Sequence, residues 1–271
     1  MNDWKNLFPK ENIFYETENG ILYNGDCLKI MSKFPENSVD LVLTDPPYGT
    51  TACSWDAIIP FESMWRELKR VRKENTAIVL FGTEPFSSLL RVSNLQEYRY
   101  DWIWKKTKAS NFQLCRKQPM KYHENIMVFY KKFFTFNLFN LRKLDKPIKS
   151  SRKNKGANLG HCIDKGNYYQ TETGFHSSIL EFSNKSGKGY SYHPTQKPVA
   201  LMEYLIKTYT NEGDLVLDFT CGSGTTLVAC EKLNRKWVGI EISKEYCEIT
   251  KQRIEEEVKI KKKKLKNKLF E

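Results

Sequence analysis

The sequence predicts an α/β fold: a doubly wound, mostly parallel sheet with helices on both faces and one inserted region. Three observations predict it. The apolar runs 39–44, 77–81 and 214–219 each stop at a Gly, Pro or turn cluster and read as buried strands. Helical patterns with three- and four-residue apolar spacing separate strands, as a wound sheet requires. From Asp214 to Glu241 the order is strand, glycine turn, helix, strand, acid, which builds a ligand site at a sheet's C-terminal edge.

Taken in order, residues 12–24 predict a hairpin. Ile13, Tyr15, Ile21 and Tyr23 alternate around Asn19-Gly20, a strong turn pair. Gly25-Asp26-Cys27 opens a short helix with Leu28, Met31 and Phe34 on its apolar face. Asp26 is either its N-cap or a group that faces a cofactor. The strand 39–44 ends at Asp45-Pro46-Pro47-Tyr48, where two prolines stop backbone pairing. Gly49 to Asp56 reads as polar and flexible. Phe61, Met64, Trp65, Leu68 and Val71 mark a helix, Ala77 to Gly82 a strand, and Pro85 to Val92 a helix with proline near its first turn. Residues 99–104 and 124–130 read as strands flanking a basic segment, 105–121, too polar for a core.

From Phe133 to Tyr190 regular periodicity fades. Residues 131–190 hold 12 Lys and Arg against 4 Asp and Glu, interleaved with aromatics such as Phe139, Tyr169 and Phe175. Cations meet phosphates and rings stack on bases, so this mixture suits nucleic acid; some of the rings must also serve a small β-rich core. A helix with Met202, Leu205, Ile206 and Tyr209 follows, then the strand 214–219, a helix through Leu227 and Leu233, and the strand 237–242. Ser243 caps a last helix running to about Val258. Residues 259–271 carry seven lysines and one acid, first a solvated helix end and only second a DNA-contacting arm.

The bulk numbers narrow the function classes. Net charge +12 and a pI near 9.2 point to a polyanionic partner, nucleic acid before membrane. No run of 18 apolar residues or signal peptide is read, so no membrane association is expected. Seven scattered cysteines without a C-x-x-C fit a reduced, cytoplasmic protein, and no metal site is expected.

Two constellations carry chemistry. Asp218 and Phe219 lead into Gly222, Gly224, Thr225 and Thr226, and Glu241 stands 23 residues after Asp218. The glycines allow close backbone approach, the helix start offers free N–H groups, and the second acid can accept from both hydroxyls of a ribose. Leu227 replaces the third glycine of the dinucleotide fingerprint, so a smaller adenosyl cofactor is favoured over NAD. Asp45 and the Pro46 carbonyl can together accept both hydrogens of an exocyclic amino group, which exposes its lone pair. Pro47 fixes the bend, and Tyr48 offers a ring on which a flipped-out base can stack.

These residues resemble a known family. Asp45-Pro46-Pro47-Tyr48 looks like the catalytic D-P-P-Y motif of S-adenosylmethionine-dependent DNA amino-methyltransferases. Asp218-Phe219-x-x-Gly222-x-Gly224-Thr225-Thr226 resembles their cofactor motif, and His193-Pro194-Thr195-Gln196-Lys197-Pro198 matches their H-P-T-Q-K-P segment, the most specific of the three. The order of motifs is that of the β group. The resemblance implies a Rossmann-like methyltransferase fold and site-specific transfer of a methyl group to N6 of a flipped-out adenine in double-stranded DNA. It assigns Asp26, His193, Thr195 and Lys197 to the cofactor side. Cytosine N4 is the alternative target, although members acting on cytosine more often carry Ser at position 45; a non-catalytic DNA-binding protein is the other alternative. A homodimer and a cognate restriction enzyme are implied as candidate partners. The expected organisation is a catalytic half over 1–132, a target-recognition insert over 133–190, a cofactor-binding half over 191–257 and a Lys-rich tail over 258–271.

Overall fold

The computed structural model describes residues 4–50, 56–132, 134–150, 168–184 and 196–268. The strands are β1 (Ile13–Glu16), β2 (Gly20–Asn24), β3 (Val39–Thr44), β4 (Arg72–Gly82), β5 (Tyr98–Lys105), β6 (His123–Phe129), β7 (Arg142–Ser150), β8 (Tyr168–Thr173), β9 (Ile179–Glu181), β10 (Leu215–Asp218) and β11 (Lys236–Glu241). The helices are α1 (Cys27–Met31), α2 (Phe61–Val71), α3 (Phe86–Ser93), α4 (Val199–Tyr209), α5 (Thr225–Lys232) and α6 (Lys244–Lys268).

Two compact units divide the chain. One comprises 1–137 and 178–271, the other 138–177. In the larger unit nine strands form one sheet in the order β1-β2-β11-β10-β3-β4-β6-β5-β9. The five strands β2, β11, β10, β3 and β4 are mutually parallel, whereas β1, β6 and β5 join by antiparallel pairing.

Alternation along the central strands supplies both faces. Leu41, Leu43, Val79, Phe81, Val216 and Trp237 pack with residues of α4, α5 and α6. Val42, Ile78, Leu80, Leu217, Val238 and Ile240 pack with residues of α1, α2 and α3 on the other side. Each run is apolar at consecutive positions because both faces are covered, which is why no polar alternation marks these strands. The chain leaves β10 toward β11 and leaves β3 toward β4, in opposite directions. The neighbouring tips of β10 and β3 are therefore the switch point of the sheet, where a crevice opens.

Three features differ from the sequence reading. Helix α6 continues to Lys268 instead of stopping near Val258, because Glu, Lys, Leu and Ile follow with no Gly or Pro to end it. The separate unit spans 138–177, within the expected 133–190 insert. Phe134 is buried against Tyr130 and Tyr209, Phe136 stacks on Trp102, and β9 pairs with β5, so these flanks belong to the larger unit. In the smaller unit β7 and β8 form a two-stranded antiparallel sheet, with Phe139, Tyr169 and Phe175 exposed. Lys106, expected in a segment too polar for a core, is buried through its pairing with Glu124.

Candidate active site

The tips of β3 and β10 form one hydrogen-bonded junction. Val216 and Leu217 pair in register with Leu41 and Val42, which sets Thr44 beside Asp218. The Thr44 hydroxyl donates to Asp218 Oδ1 and lies 2.9 Å from the Thr220 hydroxyl. Thr220 Oγ1 in turn donates to the Asp45 carbonyl at 3.3 Å. The two constellations predicted from sequence are thus joined through two threonine hydroxyls that carried no recognisable signal. Burial pushes the Asp218 carboxyl up to about 6, opposed by the hydroxyl and N–H groups donated to it.

Asp45 is held from two sides. The Tyr48 hydroxyl donates to Oδ1 and the Lys197 ammonium to Oδ2. Each carboxylate oxygen keeps a second lone pair for another donor. Lys197 also lies 3.4 Å from Glu124 Oε2, and Glu124 Oε1 accepts from Lys106 Nζ at 2.7 Å. Charges therefore alternate from Lys106 through Glu124 and Lys197 to Asp45, with both lysines buried. Loss of solvent raises the Asp45 pKa, Lys197 opposes that rise, and Glu124 adds to it. Burial works against the Lys197 cation, but Asp45 and Glu124 outweigh it and keep its pKa above the ordinary value. Burial and the neighbouring Asp45 charge raise the Tyr48 hydroxyl well above the usual range, so it remains a donor.

The turn after Tyr48 is built by Asp56. Its Oδ1 accepts from the backbone N–H groups of Tyr48 at 2.8 Å and Gly49 at 2.9 Å, and Oδ2 accepts from Thr50 at 2.9 Å. Asp56 is buried, in contrast to the flexible end expected for it. The anchored turn holds the Tyr48 ring 5.1 Å from that of Phe86.

On the β10 side, Gly222 and Gly224 adopt left-handed conformations with φ of 53° and 74°. A Cβ on Gly222 would meet no atom within 4 Å, so the backbone there faces open space. The Gly222 N–H donates to Glu241 Oε2 at 2.8 Å and the Ser243 N–H to Oε1 at 2.8 Å. Burial raises the Glu241 pKa against these two donors. Asp26 caps α1, accepting from Lys29 N–H at 2.9 Å, and lines the cavity as well.

One cavity of about 450 Å³ receives both halves, lined by Asp26, Asp45 to Tyr48, Lys197, Asp218, Phe219, Gly222, Thr225, Thr226 and Glu241. Gly224 stands one residue behind the wall as the N-cap of α5. Lys197 reaches Asp45 in this wall, a place not expected from its assignment to the cofactor side. His193 and Thr195 lie outside the described residues. Asp56, Glu124, Thr44 and Thr220 escaped the sequence reading because their roles are contacts across the fold. The thiols of Cys27 and Cys221 also line the cavity, but burial pushes the first up to about 12 and the second well above its ordinary value. They are wall, not nucleophiles. Among the described residues no group of three His, Cys, Asp or Glu side chains is placed to hold a metal.

The cavity fits an adenosyl sulfonium cofactor. Its volume lies in the range of small-molecule sites. The Gly222 backbone leaves room, and the Glu241 carboxylate is fixed by two N–H donors with lone pairs to spare for ribose hydroxyls. Among the described residues Gln196 Oε1 is a buried acceptor with no partner, and Gln196 lines the cavity. Glu241→Ala is expected to weaken S-adenosylmethionine binding by about ten- to a hundredfold, the worth of one or two hydrogen bonds to a charged group. Isothermal titration checks this, and unchanged affinity would remove Glu241 from the role.

Comparison with known proteins agrees with this geometry. The family model described as DNA methylase matches residues 39–252. The chain is 35% identical to Type II methyltransferase M.HpaI of Haemophilus parainfluenzae, over 86% of this chain and 73% of that protein. It is 30% identical to Type II methyltransferase M2.LlaDCHI of Lactococcus lactis subsp. cremoris, over 89% and 91%. The crystal structure of an M1.HpyAVI–SAM complex superposes with a TM-score of 0.58 at 26% identity, covering 86% of this chain and 98% of that one. PvuII DNA methyltransferase, cytosine-N4-specific, shares the fold with a TM-score of 0.66 at 19% identity, covering 90% and 89%. With the matched segment running from β3 into α6, the chain belongs to the DNA methylase family.

Proposed function

We propose that this DNA methyltransferase transfers a methyl group to N6 of an adenine flipped out of double-stranded DNA. The observation that carries the reading is the shared cavity at the switch point, walled on one side by Asp45 to Tyr48 and on the other by Gly222 and Glu241. S-adenosylmethionine, when bound, supplies an electrophilic methyl group on sulfur. The protein's part is to prepare the nitrogen. Asp45 and the Pro46 carbonyl accept the two amino hydrogens, drawing the nitrogen toward tetrahedral geometry and freeing its lone pair. The Pro46-Pro47 bend sets the distance between these acceptors, so orientation supplies much of the rate. Tyr48 gives the base a face, and Asp45 takes the proton that the methylated nitrogen sheds.

Asp45 supports adenine over cytosine, since the cytosine-directed members that the chain resembles more often carry Ser there. The Type II relatives support a cognate restriction enzyme acting at the same site. Self-association into a homodimer follows from the resemblance. Among the described residues no helix is long and apolar enough to cross a membrane. The likeness to Type II methyltransferases supports a cytoplasmic setting.

Incubation with methyl-labelled cofactor and duplex DNA, followed by nucleoside analysis, tests the reading. Label in N6-methyladenine is expected. Label in N4-methylcytosine would move the target, and an unlabelled duplex would refute the proposal.

A further inference from the structure

The loop joining β5 to β6 is not absorbed by the chemistry above. Its 17 residues, 106–122, contain five cations and no carboxylate. Its stem is ordered: Lys106 N–H donates to the Tyr122 carbonyl at 2.7 Å, Ser110 N–H to Lys121 at 3.2 Å, and Asn111 Nδ2 to Pro119 at 3.1 Å. Asn184 clamps the base, bonding the backbone N–H and carbonyl of Lys108 at 2.9 and 3.0 Å. The tip is open. Every residue from Phe112 to Met120 is exposed, and Phe112 has 73% of its surface in solvent.

An ordered loop with a bare phenyl ring at its tip and cations around it is poorly explained as a mere connection. The stem adjoins the catalytic cavity. Lys106 bonds both Ser110 Oγ at 3.2 Å and Glu124, which lines that cavity. Phe112 lies two residues beyond Ser110, within roughly 7 Å of chain.

A base leaves its stack only when something fills or opens the gap, and an apolar wedge between base steps does so. We infer that the 106–122 loop is a second DNA-contacting element, seating Phe112 in the duplex beside the target base while Lys108, Arg116 and Lys117 hold flanking phosphates. The inference rests on the reading of the chain as a DNA methyltransferase. Charge selects the occupant. With Lys106 already paired to Glu124, a second copy of this loop would still bring four like charges against four, whereas duplex DNA neutralises them.

The test uses the full chain and a duplex carrying the target site, found by sequencing DNA that the protein has methylated. Phe112→Ala should slow methylation of the fully paired duplex by about tenfold or more, the worth of one stacking contact. On a duplex with a mismatch opposite the target, which flips readily, its rate should return to within about threefold of the wild type. The fluorescence rise of 2-aminopurine at the target position should be lost in parallel, with the thermal midpoint unchanged because Phe112 is exposed. Replacing Arg116 and Lys117 together by Ala should lower the salt slope of DNA binding by about two. Equal rates for Phe112→Ala and wild type on the paired duplex, or equal losses on both duplexes, would overturn the inference. So would a Phe112→Ala chain that changes its oligomeric state, which would assign the loop to self-contact. A wild-type protein that transfers no methyl to any DNA would instead remove the underlying reading.

Discussion

Replacing Asp45 by Ala is expected to lower methyl transfer about a hundred- to a thousandfold while leaving cofactor affinity within about threefold of wild type, the scale seen when one preorganised polar group is removed from an active site. The split follows from the geometry. Asp45 faces the target side of the cavity, held by Tyr48 and Lys197, whereas the groups suited to the adenosyl moiety gather around Glu241 and Gly222. Lys197 retains Glu124 as a counter-charge in the variant, so the site loses its acceptor without acquiring a wholly unpaired cation. Asp45→Asn keeps one acceptor oxygen and should fall between the two. Single-turnover transfer measures the first quantity and titration calorimetry the second. An Asp45→Ala chain with near-normal transfer would refute the amine-activating role.

Lys197→Gln carries the second large effect, and its sign can be derived. The reaction needs Asp45 ionised, so the rate is low in acid and rises as pH climbs through the Asp45 pKa. Burial already lifts that pKa, and Lys197 is the chief group opposing the lift; Glu124 pushes upward, and Tyr48 donates a stabilising hydrogen bond. Asp218, across the Thr44 and Thr220 hydroxyls, is the remaining acid close enough to interact. Removing the cation leaves burial and Glu124 opposed only by the Tyr48 hydrogen bond. The acid limb of the rate profile should therefore move to higher pH by about one to three units, the usual effect of a close opposite charge. At any pH below the displaced limb this reads as a loss of rate, recovered in alkali. Lys197→Arg should restore most of the wild-type limb. A limb that stays in place while the rate drops at every pH would show that Lys197 acts on something other than the Asp45 charge.

Much of the fold was legible because buried parallel strands must be apolar at consecutive positions, and Leu41 to Leu43, Ala77 to Phe81 and Leu215 to Leu217 all are. The prolines after Asp45 and the glycines after Phe219 fixed where those strands stop, so the carboxylates at their ends could be found from spacing alone. The parts that stayed hidden depend on distant contacts. Lys106 sits in a stretch that reads as polar surface and Glu124 opens the strand after it, yet both point inward because each neutralises the other beside Asp45. Asp56 looked like loop until its carboxylate was seen to gather three backbone N–H groups. Helix α6 outran its expected end because a lysine run says nothing about where a helix stops when no breaker follows. Aromatics around 133–190 were ambiguous for a similar reason. Phe134 completes the larger unit's core, whereas Phe139 and Phe175 face solvent, and composition alone could not divide them.

The central claim is that a base amine is held by Asp45 and Pro46 at the switch point of the sheet. A crystal structure of the protein with an unreactive cofactor analogue and its target duplex tests this most directly. The predicted result is an adenine turned out of the helix, its N6 within about 2.7–3.2 Å of both the Asp45 carboxylate and the Pro46 carbonyl, with its ring over Tyr48. A target base bound with its amino group away from Asp45, or still stacked in the duplex with the cavity filled by cofactor alone, would contradict it.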